Sequence, residues 1–299
     1  MKQKLKKYVR TLLNFVPRLF GGLGIKNKEK SNPLEKVGIA AIVKNEAEYI
    51  EEWVLYHLTI GFDEIVLYDN GSEDNSKEIL EPYVKAGKVR IIDYPGMGKQ
   101  LEVYNYAIQQ LKNEFKYLAF IDADEFLLPM HGESIKSLLD KMFFDEKVGG
   151  LAINWKMFGS SGLEEKPEGG VLKNFLYCAN KKDVGNECIK SIVNPRKVFA
   201  YQHPHFPTYY YGYKSYDENK QVVSSWKNYI EPEVLRINHY FTKSKAEWIK
   251  RRGMPRVDSK VAKYRTLDEF YAHDNNDQYD DKILVYLPKM EELKTKMNS

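Results

Sequence analysis

Cysteine is nearly absent from this chain, with only Cys178 and Cys188 in 299 residues. Two cysteines can close a short loop but cannot build a disulfide framework, so a reducing compartment is the simpler reading. Long apolar runs are missing too, and none approaches the roughly 18 residues of a membrane-spanning helix. The first residues lack the continuous apolar core and small-residue cleavage site of a signal peptide. No Gly-rich loop follows the first strand-like run, which argues against both a dinucleotide fingerprint and a phosphate-cradling P-loop. No recognisable nucleic-acid module accompanies the basic residues, so nucleic acid is not an expected partner. What is present, 43% hydrophobic and 29% charged residues, fits a soluble globular chain with ample core.

The net charge of +4 conceals an asymmetry. Residues 1–30 hold nine basic side chains against Glu29, which leaves 37 basic and 41 acidic residues for the remainder. In that arm Leu5, Val9, Leu12, Leu13, Val16, Leu19 and Phe20 recur at helical spacing between the basic residues. Such a basic amphipathic helix suits an anionic membrane surface, approached through residues 1–20. The plainer alternatives are docking on the protein's own body or a disordered tail. Gly21-Gly22-Leu23-Gly24 and the polar stretch to Pro33 read as a linker.

From residue 37 the pattern alternates. Val37 to Val43 is a continuous apolar run of strand length, of the kind found in a sheet covered on both faces. A helical segment follows over 47–60, in which His57 shares the apolar face and reads as a packed core histidine. Strands at 64–68, 88–92 and 117–121 alternate with helices ending near Tyr83 and Leu111. This order predicts a Rossmann-like, doubly wound, mostly parallel α/β sheet with right-handed crossovers. Ligands of such sheets sit at the carboxyl ends of the strands.

Three strand ends are polar: Lys44-Asn45-Glu46, Asp69-Asn70-Gly71-Ser72 and Asp122-Ala123-Asp124-Glu125. Carboxylates are seldom buried without a partner, so two of them closing an apolar run need a reason. In a D-x-D spacing they can converge on one divalent cation, which can in turn grip a diphosphate. A single such pair among 42 acidic residues is a weak signal; its place at a strand end strengthens it. Asp69 could accept hydrogen bonds from a base N–H, and helix N-termini could donate to phosphate.

These motifs, in order, resemble the nucleotide-sugar motifs of GT-A glycosyltransferases. The fuller resemblance is to glycosyltransferase family 92, related to family 2. It extends through Trp155-Lys156-Met157-Phe158-Gly159-Ser160-Ser161-Gly162, Lys190-Ser191-Ile192-Val193, His203-Pro204-His205 and Ile237-Asn238-His239-Tyr240-Phe241-Thr242-Lys243-Ser244, and covers roughly residues 36–255. It implies a UDP-sugar donor with galactose favoured, Mn²⁺ or Mg²⁺, and inverting transfer to a sugar hydroxyl. Carried onto this chain, it implies Asp69 at the uracil, Asp122 at the ribose or metal, and Asp124 as the main metal ligand. Lys44, Glu46 and Gln100 would line the nucleotide pocket. His239 would complete the metal shell and Lys243 would hold the diphosphate. His203 and His205 would form an acceptor wall. Glu164 and Glu165 are the nearest candidates for the catalytic base by sequence order, with Asp183, Glu187 and Asp217 also available.

The expected organisation is a membrane-surface arm and linker over 1–30, a GT-A domain over 31–265 and a helical tail over 266–299. The domain divides into a nucleotide-sugar half over 36–130 and a mixed α+β acceptor half over 131–265. Within the latter, 159–173 reads as a mobile loop beside the acceptor, and 171–178, 188–193, 197–201 and 221–237 as short β-prone segments. The implied role is glycan or lipid-linked glycan assembly, in cell-surface polysaccharide or lipooligosaccharide synthesis, at the inner face of a bacterial cytoplasmic membrane. Two other classes compete. A non-catalytic nucleotide- or glycan-binding protein need not keep the Asp122/Asp124 pair with His239 and Lys243. A metal-dependent nucleotidyltransferase would want a Gly-rich basic loop after the first strand.

Overall fold

In the computed structural model, which describes residues 34–252 and 264–297, the first strand explains its own apolar composition. Strand β1 (Val37–Val43) is buried along its whole length. Its alternate side chains enter two different cores: Ile39, Ala41 and Val43 face one, Ala40 and Ile42 the other. A strand covered on both faces has no place for polar residues until it ends, and there Lys44 appears.

Strands β2 (Glu64–Asp69), β3 (Val89–Asp93) and β4 (Tyr117–Phe120) join β1 in parallel, in the order β3-β2-β1-β4. Helices Ile50–Thr59 and Gln100–Leu111 bury their apolar stripes in the two opposite cores. Beyond β4 come β5 (Glu125–Pro129), β6 (Val148–Met157), β7 (Tyr177–Cys178) and β8 (Ile189–Val193). β8 lies antiparallel between β4 and β6. β9 (Val198–His203) and β10 (Phe206–Tyr209) form a separate hairpin, while β11 (Lys214–Tyr216) and β12 (Val222–Val223) extend the edge of the large sheet. β13 (Leu235–His239) pairs antiparallel with β5 and parallel with β6. β14 (Gln278–Tyr279) pairs with β7, and helix Leu287–Met297 closes the described chain. The fold is therefore the expected α/β arrangement around a large, mostly parallel sheet.

Two local expectations change. Segment 171–178 holds a short helix, Val171–Asn174, before β7, because the half-buried Glu52 carboxylate accepts the N–H groups of Val171 and Leu172 at that helix start. The stretch expected as a mobile loop is tied down: Ser160 and Ser161 donate backbone N–H groups to Asp274 and Asn276. The two halves expected on either side of residue 130 share one sheet through β4–β8 and β5–β13 pairing. The basic arm lies outside the described residues. Among those described, no helix is long and apolar enough to cross a membrane.

Candidate active site

A cavity of about 230 Å³ opens where β1 and β4 end, and Ile42, Lys44, Glu46, Gln100, Asp122, Ala123, Asp124, Trp155, Pro204, His205, His239, Phe241, Arg251 and Arg265 line it. The backbone explains how the first of these arrive. Asn45 adopts φ 55°, a left-handed conformation that Asn tolerates better than most residues. Its N–H donates to the Ser72 hydroxyl at 2.9 Å and its side chain accepts the Glu73 N–H at 2.8 Å. That turn sets Lys44 and Glu46 at the mouth of the sheet. Pairing of β13 with β5 and β6 brings His239 opposite Glu125 and Met157. Tyr240 N–H then donates to the Asp124 carbonyl at 2.9 Å, which holds the 122–124 turn against β13.

The two aspartates have different surroundings. Asp122 Oδ2 accepts from the Lys190 ammonium at 2.7 Å, and its Oδ1 accepts from Gln100 Nε2 at 2.9 Å and Tyr104 O–H at 3.3 Å. Lys190 is buried on β8, yet the carboxylates of Asp122 and Glu125 outweigh burial and hold its proton tightly. Glu125 is also fully buried, and burial pushes its carboxyl well above the usual range. One buried ammonium thus lies 2.7 Å from Asp122 and 3.8 Å from Glu125. Asp124 instead faces His239, with Oδ1 3.5 Å from Nε2, and Arg251, with Oδ2 4.0 Å from Nη2. Burial works to raise the Asp124 carboxyl, but His239, Arg251 and Lys243 prevail and hold it well below the usual carboxylate range.

Asp124 and His239 are two ligand types that could hold a divalent cation such as Mn²⁺. His239 is buried, and its Nδ1 lacks a hydrogen-bond partner among the described residues. The expected three-ligand set does not form: among the described residues no group of three or more His, Cys, Asp and Glu converges, because Asp122 is turned to Lys190 and Gln100.

Other expected residues fall inside or outside the cavity for identifiable reasons. Lys44, Glu46, Gln100 and His205 line it. Burial raises the Glu46 carboxyl, against the pull of Lys243 and Arg251. Asp69 ends β2 beside Val43 but spends its carboxylate on the Ser72 N–H at 3.1 Å and Lys77 at 3.2 Å, outside the lining. Lys243 also lies outside it, buried at φ 53° with its ammonium 4.4 Å from the Tyr49 ring centre. His203 stacks on Trp226 and is not among the lining residues, which include its neighbours Pro204 and His205. Glu164 and Glu165 are not in the lining; Glu164 is exposed and pairs with Lys245 at 2.9 Å, so chain order misplaced both. The cavity or support groups that went unassigned at the sequence level include Lys190, Arg251, Arg265 and Trp155. A lysine inside an apolar run of strand length was the available signal for Lys190. Arg251 was hidden in a charge run that resembles an ordinary solvated helix face.

With this geometry in place, likenesses to known proteins become informative. The profile of Glycosyltransferase family 92 matches residues 37–265. A glycosyltransferase family 92 protein of Arabidopsis thaliana is 27% identical over 190 residues, covering 60% of this chain and 32% of its own. A galactan beta-1,4-galactosyltransferase of the same plant is 27% identical over 106 residues, covering 32% of this chain and 21% of its own. The chain thus spans about a third or less of these relatives' length. Among solved structures, S. aureus TarS in complex with UDP superposes with a TM-score of 0.36 at 19% identity, over 54% of this chain and 47% of that one.

Proposed function

Because the chain belongs to glycosyltransferase family 92, we propose that it is a GT-A glycosyltransferase that moves a hexose from a UDP-sugar to a hydroxyl of a glycan or lipid-linked glycan, with inversion and with Mn²⁺ or Mg²⁺. Galactose is the favoured donor sugar, in keeping with the galactosyltransferase name of the Arabidopsis galactan relative. The observation that carries this reading is the meeting of Asp124, His239 and Arg251 in one cavity with Lys44, Glu46, Gln100 and Asp122.

Asp124 and His239 would hold the cation, which when bound neutralises charge on the departing diphosphate. Arg251 and Arg265 supply fixed positive charge to the same cavity, where low dielectric strengthens it. Asp122, fixed by Lys190 and Gln100, offers its carboxyl oxygens to a ribose hydroxyl. Deprotonation of the acceptor hydroxyl needs a carboxylate that can take a proton near neutral pH. With Asp122 held by Lys190 and Asp124 by His239, Glu46 is the remaining carboxylate among the described residues of the lining, and burial already raises it. Lys243 keeps its proposed diphosphate role, and Asp69 its uracil role, only if the Tyr49 and Lys77 contacts yield when nucleotide binds. Residues 1–20 are proposed to hold the enzyme on an anionic membrane surface, in surface-glycan synthesis on the cytoplasmic side.

UDP release across a panel of UDP-sugars, with Mn²⁺ or with EDTA, tests this directly. Wild type is expected to release UDP from one sugar, and both EDTA and Asp124→Asn to abolish that release. Glu46→Gln is expected to lose turnover by about 100-fold or more while calorimetry shows unchanged UDP affinity. Loss of UDP affinity in that variant would move Glu46 to the nucleotide pocket, and EDTA-resistant release would remove the metal from the reading.

A further inference from the structure

A run of touching rings leads from the cavity wall to the surface. The His239 and Trp155 centroids lie 4.2 Å apart, Trp155 and His205 4.9 Å, and His205 and His203 5.2 Å. His203 then stacks on Trp226 at 5.0 Å with 18° between the ring planes. Its inner members, His239, Trp155 and His205, line the cavity, while Trp226 is 37% exposed.

The outer ring is held firmly despite its exposure. The Trp226 carbonyl accepts the Ile189 N–H at 3.2 Å, and Lys227 bridges to Cys188 on the neighbouring backbone. The Lys227 ammonium lies 5.3 Å from the Trp226 ring centre and pairs with Glu187 at 3.3 Å. Core packing accounts for a buried indole but not for one kept half in water and braced by a histidine.

Polar atoms are set into the inner rings. The Trp155 indole N–H is buried with no acceptor among the described residues. His205 Nδ1 lies 2.9 Å from the Ile189 carbonyl, which places its hydrogen there and leaves Nε2 as an acceptor. Burial, with Lys190 and His203 nearby, pushes the His205 pKa down to about 2, so the ring stays neutral at any working pH. Flat apolar faces combined with in-plane donors and acceptors match a pyranose, whose C–H face is apolar and whose edge is lined with hydroxyls.

Resting on the glycosyltransferase reading above, we propose that these rings are the acceptor site for an oligosaccharide: Trp155 and His205 seat the sugar that is extended, and Trp226 carries the next sugar along the chain. The rings connect directly to the cavity that would hold the donor, so an acceptor of at least two sugar units spans both stations. A single sugar, or an acceptor recognised by its lipid alone, would make no use of Trp226.

The test uses the full chain with UDP and Mn²⁺ on a glycan array, followed by titration with β-1,4-linked galacto-oligosaccharides of one to four units. Wild type is expected to bind array glycans, with affinity rising about tenfold from one unit to two and little thereafter. Trp226→Ala should lose that step and bind one and two units alike. Trp226→Phe should keep most of the step, and both variants should hold UDP within twofold of wild type, which also shows that they fold. An equal gain from the second sugar in Trp226→Ala overturns the proposal, as does UDP binding without binding of any array glycan. Absence of UDP binding in wild type would instead overturn the glycosyltransferase reading beneath it.

Discussion

At the scale of single residues, the histidines show how environment assigns a role that composition cannot. His57 and His239 are both buried, but one is saturated and the other is not. His57 Nδ1 lies 2.8 Å from the Trp53 carbonyl and its Nε2 accepts the Leu127 N–H at 3.3 Å, a pattern only the neutral ring satisfies. It ties helix Ile50–Thr59 to β5, as the apolar face around it in the sequence implies. Burial pushes its pKa down to about 3, against an unfolded value near 6.5. Between those values the unfolded chain binds a proton that the folded one refuses, so stability falls as pH drops below about 6.5. The loss from this group approaches about 1.4 kcal/mol per pH unit. Urea unfolding at pH 6 and pH 5 should therefore show a steeper decline for wild type than for His57→Gln, by about 1 kcal/mol over that unit. Equal declines would assign the acid sensitivity to other groups. Asp122 and Asp124 make the same point among carboxylates, since a buried lysine engages one and a histidine faces the other.

At the scale of elements, the parallel half of the sheet was legible because its signal is local. A strand covered on both faces must be apolar throughout, and the run from Val37 to Val43 announces that without reference to any partner. The later strands are short, and their partners are distant in sequence: β8 joins β4 to β6, and β13 joins β5 to β6. Nothing local in Ile189–Val193 says that Lys190 will face Asp122. The same non-local contact makes Gly150 necessary. It sits on β6 between β8 and β11, and a Cβ there would meet the Tyr209 hydroxyl and approach the Ile192 carbonyl to 3.0 Å. Gly150→Ala should destabilise the fold by about 1–3 kcal/mol through overpacking. Tyr209→Phe removes the colliding hydroxyl, so the double variant should be more stable than the sum of the singles by at least about 0.5 kcal/mol. Strict additivity in denaturant unfolding would mean that the backbone at Ile192, not the tyrosine, sets the limit.

At the scale of the whole molecule, basic charge is concentrated at one end of the chain. Residues 1–30 carry nine of the 46 basic side chains, whereas among the described residues every strand of the large sheet and every residue lining the cavity lies at or beyond Val37. Removing residues 1–24 therefore deletes none of the described cavity residues and takes away most of the basic arm. On a surface rich in anionic lipid each lysine or arginine contributes about 1 kcal/mol, and the attraction fades within a Debye length of about 10 Å at 0.1 M salt. If the arm carries the membrane contact, the full chain should co-sediment with phosphatidylglycerol vesicles at 0.1 M salt and much less at 0.5 M. The shortened chain should stay in solution at both, with UDP affinity unchanged. Residual binding that is insensitive to salt would point to the apolar face of the arm rather than its charge. Equal vesicle binding by both chains would move the contact onto the globular body, where Lys245 to Arg251 provide the next basic surface.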